Sequence, residues 1–262
     1  MSRRRFLALS LWGLLLPGRA HGEPTEHTAR TYEANIRVLF SLLTFTLSGR
    51  VSGEIDRTAG RYRVTMTGSG PGVRARTESS GLIRDGRFMP TETRSSHTVR
   101  GRESWVALSY DYDRRLVEYH VVSYTLLLGR RRQVDDLVRL APGQHVDDLI
   151  SAELNFAENT LDTDPDGTVR MTVVRRARPA NEGPDDVSPG GYRAELATFR
   201  FRPAADGASG RLTAQVDLAG FSSWARPGEP AQVSFGRDRH LESVSSSLML
   251  GTTFTLRLAP VA

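Results

Sequence analysis

Two residue types are missing from this chain of 262 residues, cysteine and lysine. Without cysteine there is no disulfide, no thiolate metal site, no thiol nucleophile and no lipid-bearing cysteine behind an export signal. Without lysine, a Schiff-base or amine general-base mechanism is excluded. All 35 basic residues are therefore arginine, a habit of GC-rich codons that carries no mechanistic weight. A large excess of charge is lacking as well. The formal charge is +5, but Arg3, Arg4, Arg5 and Arg19 lie in the first 22 residues, where there is no acid; taking those four from 35 leaves 31 bases against 30 acids. The remainder is nearly neutral, which argues against a nucleic-acid reader, since such a protein keeps a basic surface. What is present is ordinary globular material, 39% hydrophobic and 25% charged, enough apolar residues for a core.

The N-terminus has three parts: Met1-Ser2-Arg3-Arg4-Arg5, an apolar run over 6–16, then Pro17 and Ala20-His21-Gly22. A positive start, a short apolar segment and small residues at a cleavage point are the marks of a secretory signal. The run is too short for a bilayer span, which takes about 20 residues. Cleavage after Gly22 would make Glu23 the new N-terminus, so residues 1–22 are expected to be a signal and 23–262 one exported domain without a transmembrane segment. The location this implies is the periplasm. Ser2-Arg3-Arg4-Arg5-Phe6-Leu7 also resembles the twin-arginine export motif, departing from it at Ala8 where lysine is usual. Arginine-rich signals of the general route have the same look.

Beyond the signal, alternation with period two dominates, as in strands with one buried face. Tyr32, Ala34, Ile36 and Val38 form one such set; Phe45, Leu47, Gly49, Val51, Gly53 and Ile55 another; Tyr62, Val64 and Met66 a third. Further strands are expected near 73–83, 87–100, 103–111, 116–128, 168–175, 192–202, 211–218, 231–235, 241–250 and 252–258. Asp85-Gly86 marks a turn between two of them. One segment changes period: Val146, Leu149, Ile150 and Leu154 share a helical face, predicting a helix over about 145–158 with Asp147 and Asp148 in its first turn. Residues 177–191 and 203–210, rich in Pro, Gly and Asp, read as exposed loops.

Over residues 31–258 the order of these pieces resembles a bacterial exported family known as domain of unknown function 3108. The carrying residues are Tyr32, Phe45-x-Leu47-x-Gly49-x-Val51-x-Gly53, Tyr62, Ser80-Gly81, Gly86-x-Phe88-x-Pro90, Asp148-Leu149-Ile150-Ser151-Ala152, and the segments from Asp238 to Leu241 and Gly251 to Leu258. The 177–191 loop and Tyr110-Asp111-Tyr112-Asp113 depart from it. The resemblance implies a mainly β fold, a strongly curved antiparallel sheet or half-barrel wrapping one or two helices, similar to periplasmic lipoprotein carriers of the LolA and LolB type. It implies no catalytic residues and no cofactor.

Candidate sites are few. Asp162-x-Asp164-x-Asp166-Gly167 looks like the start of a calcium loop, but its twelfth position is Val173 rather than glutamate, so it reads as a turn. Asp111 and Asp113 share a strand face, as paired carboxylates for glycoside hydrolysis would, yet fit a polar turn better. His97, His120, His145 and His240 lack metal-ligand spacing, and no nucleophile elbow occurs. Arg130-Arg131-Arg132 suits either an acidic headgroup beside an apolar cavity or a solvated turn. The leading expectation is a non-enzymatic envelope protein holding a lipid or acylated protein in a cavity lined by Phe45, Leu47, Val51, Tyr62, Val64 and Met66. The rival is an envelope interaction protein with a filled core, and an uncharacterised hydrolase comes third.

Overall fold

The structure, a computed structural model, describes residues 25–260 apart from 180–181, 206, 208–209, 220–221, 223 and 227. The signal segment and its cleavage point at Gly22 and Glu23 lie outside the described residues. The alternating stretches become strands: β1 (Glu26–Val38), β2 (Leu43–Asp56), β3 (Arg61–Gly70), β4 (Val73–Arg84), β5 (Arg87–Val99), β6 (Arg102–Asp111), β7 (Leu116–Tyr124) and β8 (Arg131–Arg139). Helix α1 (Leu149–Ala157) follows, then β9 (Asp162–Thr163), β10 (Val169–Arg176) and β11 (Ala194–Phe201). The last run is β12 (Ala204–Ala205), β13 (Leu212–Val216), β14 (Ala231–Phe235), β15 (Leu241–Leu248) and β16 (Thr252–Leu258).

Thirteen of these strands form one antiparallel sheet, with β8 and β12 at its margins and β1 paired to β16 in its middle; β9, β10 and β11 make a separate sheet of three. The large sheet is not a closed barrel. It must nevertheless curl, because β11 packs against both β8 and β13, which stand near opposite margins. The small sheet thus spans the opening that the large one leaves. Buried residues confirm which face is inward: Tyr32, Ala34, Val38, Phe45 and Leu47 meet in one cluster, and Leu108, Tyr110, Val117, Tyr119 and Val121 meet Val134 and Val174 in another. Burying an aliphatic or aromatic side chain of this size stabilises by roughly 1.5–3 kcal/mol, which is why the period-two pattern fixes the facing of each strand.

Three expectations are corrected. The helix starts at Leu149, not near 145, because Asp148 is its N-cap: Asp148 Oδ1 accepts from Ser151 N–H, and Asp148 N–H donates to Ser151 Oγ. Leu149 is 72% exposed rather than on the buried face, which consists of Ser151, Ala152, Leu154, Asn155 and Phe156. A strand over Arg131–Arg139 is not among those expected, and Arg131 and Arg132 open it rather than sit in a solvated turn. Its inward positions are Arg132, Val134, Asp136 and Val138, so two charged residues hide the alternation. The 177–191 loop is anchored, not free: Glu182 is buried between Arg132 and Arg176 and accepts from the Tyr192 hydroxyl at 2.7 Å.

Candidate functional site

The six expected lining residues all face inward, and each is packed. Phe45 and Leu47 lie with Tyr32, Val38 and Val73; Tyr62 and Val64 lie with Ile55, Phe88 and Leu154 of α1; Val51 touches both groups and Met66 the first. The glycine gaps opposite them are filled from the next strand. Tyr32 of β1 pairs with Gly49 of β2, which pairs with Gly68 of β3, and the Tyr32 ring covers both glycines. A Cβ on Gly49 would sit 2.6 Å from that ring and 2.0 Å from the Thr67 carbonyl oxygen. An aromatic laid over a strand glycine stabilises that position. Gly49→Leu is therefore expected to lower the unfolding free energy by about 1–3 kcal/mol or more through overpacking, read as a lower urea midpoint.

The carboxylate motifs are engaged by neighbouring side chains. Asp164 pairs with Arg170 at 3.0 Å, Asp166 with Arg202 at 2.8 Å, and Asp162 with His145 at 2.9 Å. Asp164 N–H to Thr168 O and Gly167 N–H to Asp164 O close a tight turn, as the Pro-Asp-Gly stretch suggested. Asp111 Oδ1 accepts from Arg114 N–H at the β6–β7 turn, which Asp113 also occupies. His120 meets Asp135 at 2.9 Å, and His240 meets Glu153 of α1 at 3.0 Å, beside Arg30. His97 lines a cleft described below.

A buried polar centre went unnoticed in the sequence. Asp147, 1% exposed, accepts from the Arg87 guanidinium at 2.9 Å and from Asn155 Nδ2 at 2.8 Å. Asn155 also donates to Phe88 O and accepts from Phe88 N–H, at 2.9 and 2.8 Å. The β5–β6 pairing begins only at Glu92, so Phe88 has no β6 partner and the Asn155 amide takes that place. Asp148 accepts from the Thr93 hydroxyl. Burial, offset in part by Arg87, raises the Asp147 carboxyl to about 6. Two adjacent carboxylates, one with a raised pKa, would interest an enzymologist. Here both are saturated by hydrogen bonds and sealed under the sheet, so the centre is a fastening between α1 and β5.

The surface feature that stands apart is one end of the molecule. In an antiparallel meander alternate turns share an end, and those after β1, β3, β5, β7, β13 and β15 lie together. Leu126 from the β7–β8 turn, Leu39 and Leu43 from the β1–β2 turn, Val99 and Trp224 all pack against the buried cluster that holds Val38, so these turns share one apolar plug. Above that plug stand Phe40 and Leu42, 82% and 80% exposed, with Leu127, Leu128 and Leu250 also exposed. Leu39, Phe40 and Ser41 are all left-handed, with φ of 53°, 55° and 71°, a conformation costing roughly 1–2 kcal/mol per residue. Gly251, also left-handed, leaves room for the Phe40 ring. Beside the plug a cleft of about 170 Å³ is bordered by His97, Arg100, Arg102, Tyr124, Arg132 and Trp224, among others. Of the Arg130–Arg132 stretch, Arg132 is buried and donates to the carbonyls of Pro184 and Asp186, while Arg130 and Arg131 are exposed. None of the six expected lining residues borders this cleft.

Among the described residues no helix is long and apolar enough to cross a membrane. No family model, the family resembled above included, and no curated protein matches the sequence. Among solved structures, the chain is similar to the crystal structure of a beta-barrel-like protein of domain of unknown function DUF1849 from Brucella abortus, at 12% identity over 90% of this chain and 96% of that one, with a TM-score of 0.38.

Proposed function

We propose that this chain is an exported cell-envelope protein that acts through its surface as an interaction module, rather than by enclosing a ligand. The observation that carries this reading is the filled interior. The concave face is occupied by α1, by the small sheet and by the Tyr32 ring over Gly49 and Gly68. The cleft at the turn end, about 170 Å³, falls below the roughly 300–1,000 Å³ usual for small-molecule sites, and a wider groove of about 600 Å³ is bordered by Thr31, Glu33, Ser48 and Arg257 and by none of the six expected lining residues. A carrier of acyl chains would need a long apolar cavity against Phe45, Leu47 and Val51, and those side chains are spent on one another. Export rests on the N-terminal pattern and is tested by sequencing the mature protein, expected to begin at Glu23. The filled interior is tested by titrating the protein in solution with a fluorescent fatty-acyl probe. The expected result is no saturable binding. Stoichiometric uptake, lost in Gly49→Leu, would overturn this reading in favour of a carrier.

A further inference from the structure

We propose that the end bearing the β1–β2, β7–β8 and β15–β16 turns seats on an anionic lipid bilayer. The proposal rests on the surface-acting reading above and gives its partner a chemistry. Five of the eight large hydrophobic residues left exposed in the described structure are on these three turns: Phe40, Leu42, Leu127, Leu128 and Leu250. The opposite end is built differently. Its β2–β3, β4–β5, β6–β7 and β14–β15 turns carry none of those eight residues and mix both signs of charge: Arg57 pairs with Glu26 and Glu158, Arg202 with Asp166 and Arg114 with Asp111, while the exposed Arg61, Arg84 and Arg115 share the turns with Asp85 and Asp113.

The charge around the apolar tips completes the argument. Arg37, Arg74, Arg100, Arg102, Arg130 and Arg131 surround them, all exposed, and none is in an ion pair among the described residues. The acids nearby are mostly engaged: Asp185 accepts from the amides of Leu127 and Leu128, Asp217 caps Ala219, and Glu229 pairs with Arg226. Glu103 is the exception. Arginines without an acidic partner, behind a layer of apolar tips, match a surface that is negative at its phosphates and apolar just beneath. A protein partner would favour a continuous apolar patch with a packed centre. Tips on separate turns, with arginines between them, suit a fluid layer that moulds itself around each one. Three consecutive left-handed residues hold Phe40 and Leu42 outward, where a soluble surface gains nothing from them.

The absence of cysteine makes the test clean. Leu42→Cys, Leu128→Cys and, at the opposite end, Asp113→Cys would each be labelled with an environment-sensitive fluorophore. The labelled proteins would be mixed with vesicles of phosphatidylglycerol and phosphatidylethanolamine, or of phosphatidylcholine alone. The expected result is a blue shift at positions 42 and 128 on the anionic vesicles, little on the neutral ones, and none at 113. Residues 1–24 are common to all three proteins, so the apolar run at 6–16 cannot produce that pattern. The triple variant Phe40→Ser, Leu42→Ser, Leu128→Ser should partition at least about tenfold more weakly, since each side chain withdraws apolar area from the acyl boundary. Its unfolding midpoint should match the parent's. No shift at 42 and 128, an equal shift at 113, or undiminished partitioning of the triple variant would overturn the proposal. So would tips shielded only by lipid-depleted envelope protein, which would mean a protein partner. Acyl-probe uptake in solution bears on the interior alone, so the two readings can fail separately.

Discussion

Asp147→Leu is expected to destabilise the protein by about 3–5 kcal/mol at neutral pH, because it strands the buried Arg87 guanidinium without its carboxylate. Urea unfolding followed by tryptophan fluorescence would measure it. The double variant Arg87→Met, Asp147→Leu should recover much of the loss, since an apolar pair avoids the desolvation of two charges. A double variant no better than the single would mean that Asn155 and the Thr160 carbonyl, which Arg87 also contacts, depend on the pair. The same centre gives the parent protein a pH profile. The Asp147 carboxyl is raised from 3.8 to about 6, so between those values the unfolded chain releases a proton that the folded one keeps. Stability then falls as pH rises through that window. His240 is raised by its hydrogen bond to Glu153, so its contribution is complete below about 6.5 and is lost at higher pH. These two groups favour the folded state in mild acid over pH 8, while His97, held below its ordinary value by burial, works against them as pH falls; Asp147→Leu should flatten the part of the slope between about 4 and 6.

Phe156→Ala should cost a similar amount, about 3–5 kcal/mol, for a different reason. The Phe156 ring is buried with centroids 4.2 Å from Phe235 and 5.7 Å from Phe201, under the Arg239 guanidinium at 4.4 Å. Those partners belong to β14, β11 and the β14–β15 turn, so one side chain joins the helix, the small sheet and one margin of the large one. Deleting it should loosen the small sheet more than the β1–β4 region. Hydrogen exchange would show this as lost protection at β10 and β11 ahead of β2 and β3. Uniform loss of protection across all strands would contradict that regional role.

Most of the large sheet was legible because its strands carry one dry face, and a face of Tyr32, Ala34 and Val38 can be read without knowing what it touches. The places where the reading failed share a cause: a polar residue satisfied by a distant partner. Arg132 and Asp136 occupy inward positions of β8, and only the loop carbonyls near 184–186 and the Ala194 amide explain them. Asp147 read as an acid suited to a helix dipole, and its true partner is sixty residues away in sequence. Gly49 carries no side chain to show what covers it; the filling ring, Tyr32, belongs to the neighbouring strand and reads in the sequence only as part of a core face. The turn end was harder still, because Phe40 and Leu42 look like ordinary core residues until the chain around them turns left-handed.

The pairing of β1 with β16 has a consequence for how the chain is made. Tyr32 meets Leu258 and Arg37 meets Thr253, so the seam at the middle of the sheet joins segments more than two hundred residues apart. Every other neighbour in the large sheet can zip up as it is synthesised, strand upon adjacent strand. This seam must wait until the last strand has left the ribosome, and until then β1 and β15 both present open edges able to recruit a second chain. Such late, long-range closure makes for slow folding. A route that moves the chain as a thread, N-terminus leading, would therefore deliver β1 to the far side of the membrane well before the strand that covers it.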